Sequence, residues 1–292
     1  MNIMMITGAG ISTGSGLSTY RGADGKYTEI EQQVGMPIHT LLTPKTLEAN
    51  PELVWKYWLQ FSLGLKGAEP SIAHRAIKDI ADLCGAFLEV TQNVDGLSRL
   101  AGLSDDQLIE LHGTYRRHVC TSCKQEHQLA LTEEMAIPPR CYRCRPKEMK
   151  DFFVAPVIRP AVVMFDELID EMSQIQACSF ANGKANLVIV SGTSLQFPYL
   201  IEFMAYAVAG GARVLYIDPE ATSDVPLYML TNPDLDLPGR VTCIRKTADE
   251  VFPSLHAFLA CQRAANGDTG DFHVDHQAFE AWVQSHIATQ GF

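Results

Sequence analysis

Short apolar runs alternate with helical patterns along most of the chain. Runs rich in Val and Ile, bounded by glycine or polar residues, are typical of strands buried on both faces of a sheet. They cover residues 2–7, 86–93, 160–165, 186–193 and 213–218. Residues 72–83 and 198–211 carry apolar side chains at helical spacing between these runs. This alternation predicts an α/β fold with a doubly wound, mostly parallel Rossmann-like sheet.

Two segments interrupt the alternation and predict a smaller zinc-binding and helical module. Residues 24–71 contain helical patches without a clear strand, and residues 118–149 contain paired cysteines and prolines. The predicted large domain comprises residues 1–23, 72–117 and 150–262, and the small domain comprises the two interrupting segments.

The composition changes after residue 262. Residues 263–271 are typical of a linker, and residues 276–287 carry apolar side chains at helical spacing. We expect residues 263–292 to form a linker and a C-terminal helix that packs against the rest of the protein. A tail that binds a partner or gates the substrate is the alternative.

Charge and composition narrow the class of protein. The chain has 292 residues and a formal net charge of -11, which argues against a general nucleic-acid binder and favours a basic partner such as a lysine-rich peptide. No apolar run is long enough for a membrane span, and no basic segment precedes the first strand. We therefore expect a cytoplasmic, intracellular protein that binds neither membranes nor nucleic acid directly.

Four of the eight cysteines form two closely spaced pairs, Cys120 with Cys123 and Cys141 with Cys144. Two C-x-x-C pairs at this separation are a strong zinc signature. Four thiolates close a tetrahedral shell and leave no position for substrate, so the predicted zinc is structural. Free or redox-active thiols are the alternative.

Glycines follow the first strand, beginning with Gly8, Ala9 and Gly10. Such a turn lets backbone N–H groups approach a pyrophosphate. The pattern departs from the ordinary dinucleotide fingerprint, because Thr13 stands at its sixth position and the polar residues 17–25 follow instead of a long helix. The glycines alone leave both a nucleotide site and a simple turn open.

Several ordered motifs resemble those of the sirtuin family and together span roughly residues 3–260. GAGISTGSGLSTYRG (8–22) resembles G-A-G-x-S-x-x-S-G-I-P-x-F-R-G, and SGTSLQFPYL (191–200) resembles G-T-S-L-x-V-x-P. The other matches are TQNVDGL (91–97), LHG (111–113), the cysteine pairs, RPAVVMFDE (159–167) and YID (216–218).

The resemblance implies an NAD-dependent protein-lysine deacylase. Such an enzyme uses NAD as co-substrate, releases nicotinamide and transfers the acyl group to ADP-ribose, and one structural Zn²⁺ supports the small module. Its partner is an acyl-lysine protein or peptide, which adds as a strand between the two modules. Protein mono-ADP-ribosylation, NAD hydrolysis and a non-catalytic NAD-sensing interaction module are the alternatives.

The resemblance also assigns residue roles, carried over motif by motif. His112, as the base, and Asn93 are the predicted catalytic residues. The predicted cofactor contacts are Gly8, Ala9, Gly10, Ser12, Tyr20, Arg21, Gln92, Asn93, Asp95, Gly192, Thr193, Ser194 and Asp218. The predicted substrate contacts are Val163, Phe165, Asp166 and Glu167, and the predicted metal ligands are Cys120, Cys123, Cys141 and Cys144. Taken alone, a His before Gly is more often structural, and an Asn-Val-Asp run is ordinarily a turn or cap. The run PAVVMF is a buried strand in either interpretation.

The chain departs from the family patterns at several positions. Tyr20 takes the place of a gating Phe, Asp166 that of a Gly and Asp218 that of an Asn. Ser18 stands where Pro is common. The nearest match to a Tyr-x-x-Arg pair that binds acidic acyl chains is Tyr57-x-x-Gln60, and Gln cannot neutralise a carboxylate, so we expect acetyl or longer neutral acyl groups.

Overall fold

The main sheet of the computed structural model is parallel and doubly wound. The structure describes residues 1–20, 25–144, 155–221, 240–267 and 272–287. Within them, six strands follow the order β3-β2-β1-β7-β8-β9. They are β1 (Asn2–Thr7), β2 (Ala86–Thr91), β3 (Leu108–Glu110), β7 (Leu187–Ser191), β8 (Arg213–Ile217) and β9 (Val241–Ile244). The predicted fold class is confirmed, since the order in which strands are added reverses between β1 and β7, as in doubly wound folds.

Two layers of helices cover the sheet. They are α5 (Ile72–Leu83), α6 (Leu97–Leu100), α7 (Glu171–Gly183), α8 (Pro198–Ala209), α9 (Ala248–Ala265) and α10 (His276–His286). Strand β1 lies at the centre and alternates its side chains between the two layers, as a strand with period two must. Ile3 and Met5 pack in one apolar cluster with α5, α9 and α10, while Met4 and Ile6 pack in the other with α7 and α8.

Local signals account for the helix boundaries that the sequence predicted. Ser71 begins α5 with a capping box, in which its side chain and that of His74 each bond the other's backbone N–H. Pro198 begins α8, which ends at Ala209 with Gly210 as its C-cap, at the glycine pair that the sequence predicted as the stop. Helices α7 and α9 and strands β3 and β9 were not predicted, because their apolar patterns are short or irregular.

A second module packs beside the sheet. It contains the helices α1 (Lys26–Val34), α2 (Ile38–Leu41), α3 (Pro44–Ala49) and α4 (Pro51–Gly64) and the antiparallel strands β4 (Gly113–Cys120), β5 (Glu126–His127) and β6 (Ile158–Val162). The apolar run 160–165, predicted as a strand of the α/β sheet, instead pairs with β4 outside that sheet. The four helices and this small sheet share one apolar cluster, while the predicted domain boundaries stay a prediction.

Helix α10 lies against α9. Phe279 and Trp282 stack near Phe258 of α9, and Trp282 Nε1 donates to Ser254 Oγ at 3.1 Å. The predicted linker starts later than expected, because α9 continues to Ala265, and residues 268–271 lie outside the described residues. None of the described helices has the length and apolarity that a membrane crossing requires.

Trp55 of α4 joins the helical part of the second module to its sheet. Its indole Nε1 donates to the Ile158 carbonyl of β6 at 2.7 Å, and its ring stacks near His118 of β4. The neighbouring Trp58 is equally buried, but its Nε1 has no hydrogen-bond partner among the described residues. The two tryptophans therefore differ mainly in one buried hydrogen bond.

We expect Trp55→Phe to destabilise the protein more than Trp58→Phe does. Both changes remove similar apolar volume, but only the first leaves a buried carbonyl unpaired, which costs about 1–3 kcal/mol. Urea unfolding of the two variants measures the difference. Equal losses of unfolding free energy would show that the Trp55 hydrogen bond does not join the two parts.

Candidate functional site

A cleft of about 1310 Å³ opens at the carboxyl ends of the parallel strands, between the sheet and the second module. It lies beside β1 and β7, the position at which ligands bind in doubly wound folds. Most of the predicted site residues line it: Gly8, Ala9, Gly10, Tyr20, Gln92, Asn93, His112, Val163, Phe165, Asp166, Glu167, Gly192, Thr193, Ser194 and Asp218. Arg21, a predicted cofactor contact, lies outside the described residues.

The loops after β1 and β7 meet at the floor of this cleft. Gly10 N donates to the Gly192 carbonyl at 3.0 Å. A Cβ on Gly10 would lie 2.5 Å from Gly192 Cα, and Gly192 itself has a φ of +66°. Glycine is required at both positions, because neither the approach nor that backbone conformation leaves room for a side chain.

A buried polar network holds the segment after β2. Asn93 Nδ2 donates to the Gly8 carbonyl at 3.0 Å and to Ser12 Oγ at 3.2 Å, and Ser12 Oγ donates to Asp95 Oδ2 at 2.8 Å. Asp95 Oδ1 also accepts from Leu97 N. Ser12 and Asp95 thus lie behind the cleft wall, and their predicted contact with the cofactor stays a prediction.

Asn93 keeps one unused hydrogen-bonding group. Its Oδ1 is buried and has no partner among the described residues, although the side chain borders the cleft. An unpaired buried acceptor is costly unless a ligand supplies the donor. The amide group of a nicotinamide is a donor of the kind that this oxygen lacks.

His112 stands at the junction of β3 and β4. The next residue, Gly113, has a φ of +75°, and a Cβ there would overlap the Ala161 carbonyl. The backbone conformation therefore requires the glycine of the LHG sequence. The imidazole Nδ1 lies 3.1 Å from the Gln92 carbonyl. Since a carbonyl only accepts, Nδ1 carries the proton and Nε2 keeps its lone pair.

Burial sets the charge state of His112. It lowers the pKa of the imidazole below the ordinary value, and the Gln92 carbonyl opposes this with a smaller effect. The neutral ring is therefore favoured near pH 7, which a general base requires. Gln92 is held in turn, because its Nε2 donates to Thr193 Oγ1 at 2.7 Å.

The opposite wall is the segment that follows β6. Val163 N donates to the His112 carbonyl at 2.8 Å, and Phe165 N donates to the Leu42 carbonyl at 2.9 Å. Asp166 has a φ of +67°, so it keeps a conformation that favours glycine, the residue of the family pattern. Glu167 Oε2 accepts from Arg159 and from Met164 N, which closes the turn.

Aromatic side chains extend this wall, and two of them, Tyr27 and Tyr115, were not predicted from the sequence. Tyr27 and Tyr115 line the cleft together with Tyr57, and burial raises the pKa of Tyr57 and Tyr115. The ring of Tyr20 lies 5.2 Å from that of Tyr27, which places Tyr20 in this aromatic group. Their spacing in sequence gave no signal, because the chain brings them together from α1, α4 and β4.

The remaining predicted contacts lie at the β7 and β8 ends of the cleft. Thr193 is buried, and its carbonyl accepts from Tyr216 Oη at 3.0 Å, while Ser194 is exposed. Asp218 follows β8, where burial, together with the charge of Glu220, raises the pKa of its carboxyl. This carboxylate is placed as the acidic residue of dinucleotide folds is, at a strand end.

The four predicted metal ligands come together in the second module. The Sγ atoms of Cys120 and Cys144 lie 3.8 Å apart, and those of Cys123 and Cys141 lie 3.9 Å apart. Zinc–sulfur bonds of about 2.3 Å in a regular tetrahedron place sulfurs about 3.8 Å apart. The thiols therefore fit one Zn²⁺ in a closed shell, which holds the small module and takes no part in the chemistry of the cleft.

Comparisons with known proteins agree with this geometry. The model of the Sir2 family matches residues 8–198. NAD-dependent protein deacylase 2 of Pseudomonas syringae pv. tomato is 35% identical over 221 residues, which cover 75% of this chain and 85% of that protein. An NAD-dependent protein deacylase of Thermus thermophilus is 34% identical over 233 residues, 78% of this chain and 84% of that protein.

Solved structures give the same result. A Sir2 homologue in complex with NAD superposes with a TM-score of 0.71 at 27% identity, covering 89% of this chain and 90% of that one. A mutant Sir2 homologue in complex with ADP-ribose superposes with a TM-score of 0.72 at 26% identity, covering 90% and 93%.

We expect the purified protein to contain one zinc ion per chain. Cys141→Ser removes a ligand and should release the metal and lower the free energy of unfolding, because zinc binding and folding of the small module are coupled. Cys261→Ser changes an exposed thiol on α9 and is the matched control. Metal content by mass spectrometry checks this, and equal zinc in both variants would disprove the assigned ligands.

Proposed function

This chain belongs to the Sir2 family, and we propose that its cleft removes acyl groups from protein lysines at the expense of NAD. It is an NAD-dependent protein deacylase, which cleaves NAD to nicotinamide and transfers the acyl group to ADP-ribose. The supporting observation is His112, a neutral imidazole with a basic Nε2 between the glycine loops and the Val163–Glu167 wall.

NAD would bind on the sheet side of the cleft. In this proposal the loops after β1 and β7 hold the phosphates and adenosine, and Asp218 accepts hydrogen bonds from a ribose. Asn93 Oδ1 accepts from the nicotinamide amide, which would satisfy its unpaired oxygen. The acyl oxygen of lysine would attack the ribose carbon as nicotinamide leaves. His112 would then draw a proton from a ribose hydroxyl, whose oxygen attacks the acyl carbon. With one water, the lysine amine leaves and the acyl group stays on ADP-ribose.

The acyl-lysine would enter from the second module. Val163, Phe165 and Asp166 form the edge along which a peptide adds as a strand, and the aromatic side chains receive the acyl group. Main-chain pairing gives low dependence on peptide sequence. Gln60 is exposed, whereas Tyr57 lines the cleft, which supports a preference for neutral acyl groups. The cytoplasmic location stays a prediction.

Incubation with NAD should release nicotinamide only when an acetyl-lysine peptide is present. His112→Ala should reduce this release at least a hundredfold, because general-base catalysis contributes about 10²–10⁴-fold. His39→Ala, which changes an exposed histidine of α2, is the control.

Other outcomes of the same assay identify other functions. Release without peptide indicates NAD hydrolysis or, if the protein becomes labelled, mono-ADP-ribosylation. Binding of NAD without any release indicates a sensing module. Full activity of His112→Ala would remove His112 from the mechanism.

The pH profile of kcat/KM should have an acidic limb with its midpoint below about 6.5, the ordinary pKa of histidine. The active form is neutral His112, so activity is complete above the lowered pKa and is lost as the pH falls through it. At pH 6.5 more than half of the plateau should therefore remain. An NMR titration of the His112 ring assigns the limb, and a midpoint above 6.5 would contradict the effect of burial.

A further inference from the structure

Tyr199 contacts the basic nitrogen of His112. Its Oη lies 2.6 Å from His112 Nε2. Because the opposite nitrogen holds its proton for the Gln92 carbonyl, Nε2 is the acceptor and the phenol is the donor. Burial raises the pKa of Tyr199 and lowers that of His112, so near pH 7 the phenol is a neutral donor and the imidazole a neutral acceptor.

One lone pair on Nε2 limits what His112 can do. An unprotonated imidazole nitrogen accepts one hydrogen bond in the plane of the ring. A ribose hydroxyl that gives its proton to Nε2 must first occupy the same position. The phenol and the ribose hydroxyl therefore exclude each other at this atom.

The surroundings of Tyr199 hold its ring at the mouth of the cleft. Tyr199 is the second residue of α8, directly after Pro198. Its ring stacks on Phe197, with centroids 5.4 Å apart and planes within 9°, and Phe197 is 36% exposed. In the G-T-S-L-x-V-x-P pattern the Pro falls at position 199, whereas here Pro198 comes one residue earlier and Tyr199 takes that place.

We propose that Tyr199 is a cap on His112, which the ribose of NAD must displace before the base can act. This inference rests on the proposed function, in which His112 is the base. The cap stabilises the free enzyme and has no counterpart in the NAD complex. It therefore weakens the binding of NAD while leaving the chemical step unchanged.

Tyr199→Phe should tighten NAD binding about two- to tenfold, the range that one lost hydrogen bond of ordinary strength gives. Calorimetric Kd for NAD without peptide and KM for NAD should both fall, while kcat stays within about twofold. The variant keeps the ring that stacks on Phe197. Tyr206→Phe, on the same helix and bonded to Glu202 instead, is the control and should leave Kd, KM and kcat unchanged.

A fall in kcat of tenfold or more would overturn the cap, since it would mean that Tyr199 relays the proton. A Kd for NAD that is unchanged or larger in Tyr199→Phe would overturn the cap as well. Tyr199→Leu also removes the hydroxyl and serves if the first variant unfolds. Failure of the proposed function can be told apart from failure of the cap. If the proposed function is wrong, the wild-type protein releases no nicotinamide in the presence of peptide. The comparison of Kd values for NAD still decides whether Tyr199 competes with NAD.

A second signature would not follow from a purely structural role. In ¹⁵N NMR spectra of the free wild-type protein, Nδ1 of His112 should be protonated and Nε2 should accept a hydrogen bond. The Nε2 signal should shift in Tyr199→Phe and should not shift in the control. The same Nε2 signal in all three proteins would contradict the contact.

Discussion

The backbone contact between the loops after β1 and β7 positions the rest of the site. Gly10 and Gly192 approach so closely that no side chain fits between them. This close approach fixes the path of the backbone in both loops. Parallel strands end at the same edge of a sheet, but they do not by themselves bring their loops into contact. The glycines do so, and the cleft floor is therefore backbone, able to present N–H groups to a phosphate.

From this contact a series of hydrogen bonds leads to the reactive imidazole. Thr193, one residue beyond Gly192, accepts from Gln92, and the carbonyl of Gln92 fixes the tautomer of His112. A neighbouring network of Asn93, Ser12 and Asp95 is buried and almost fully paired. Paired groups hold their positions at little cost, so the cleft is largely formed before any substrate arrives.

Features carried by local spacing could be predicted from the sequence. The two cysteine pairs specify their own geometry, and the apolar period of residues 72–83 gives α5 with both its bounds. Motif resemblance placed His112 and Asn93 at the cleft. Contacts between distant segments could not be predicted: the pairing of β6 with β4, the aromatic wall, and the meeting of Tyr199 with His112 each join parts of the chain with no shared periodicity. The left-handed backbone conformation of Asp166 could not be predicted either, because the residue type does not indicate that conformation.

The central position of β1 has a consequence for how the chain reaches this structure. Ile3 pairs on one side with Phe87 and on the other with Leu187, so a strand made early by the ribosome waits for a partner made much later. Until β7 and the helices α8, α9 and α10 emerge, one edge of β1 and part of its apolar surface lack their native cover. Such nascent strands are prone to wrong pairing and are natural clients of chaperones. The strand order that creates the binding cleft thus also leaves β1 without its β7 neighbour until residues 187–191 have been made.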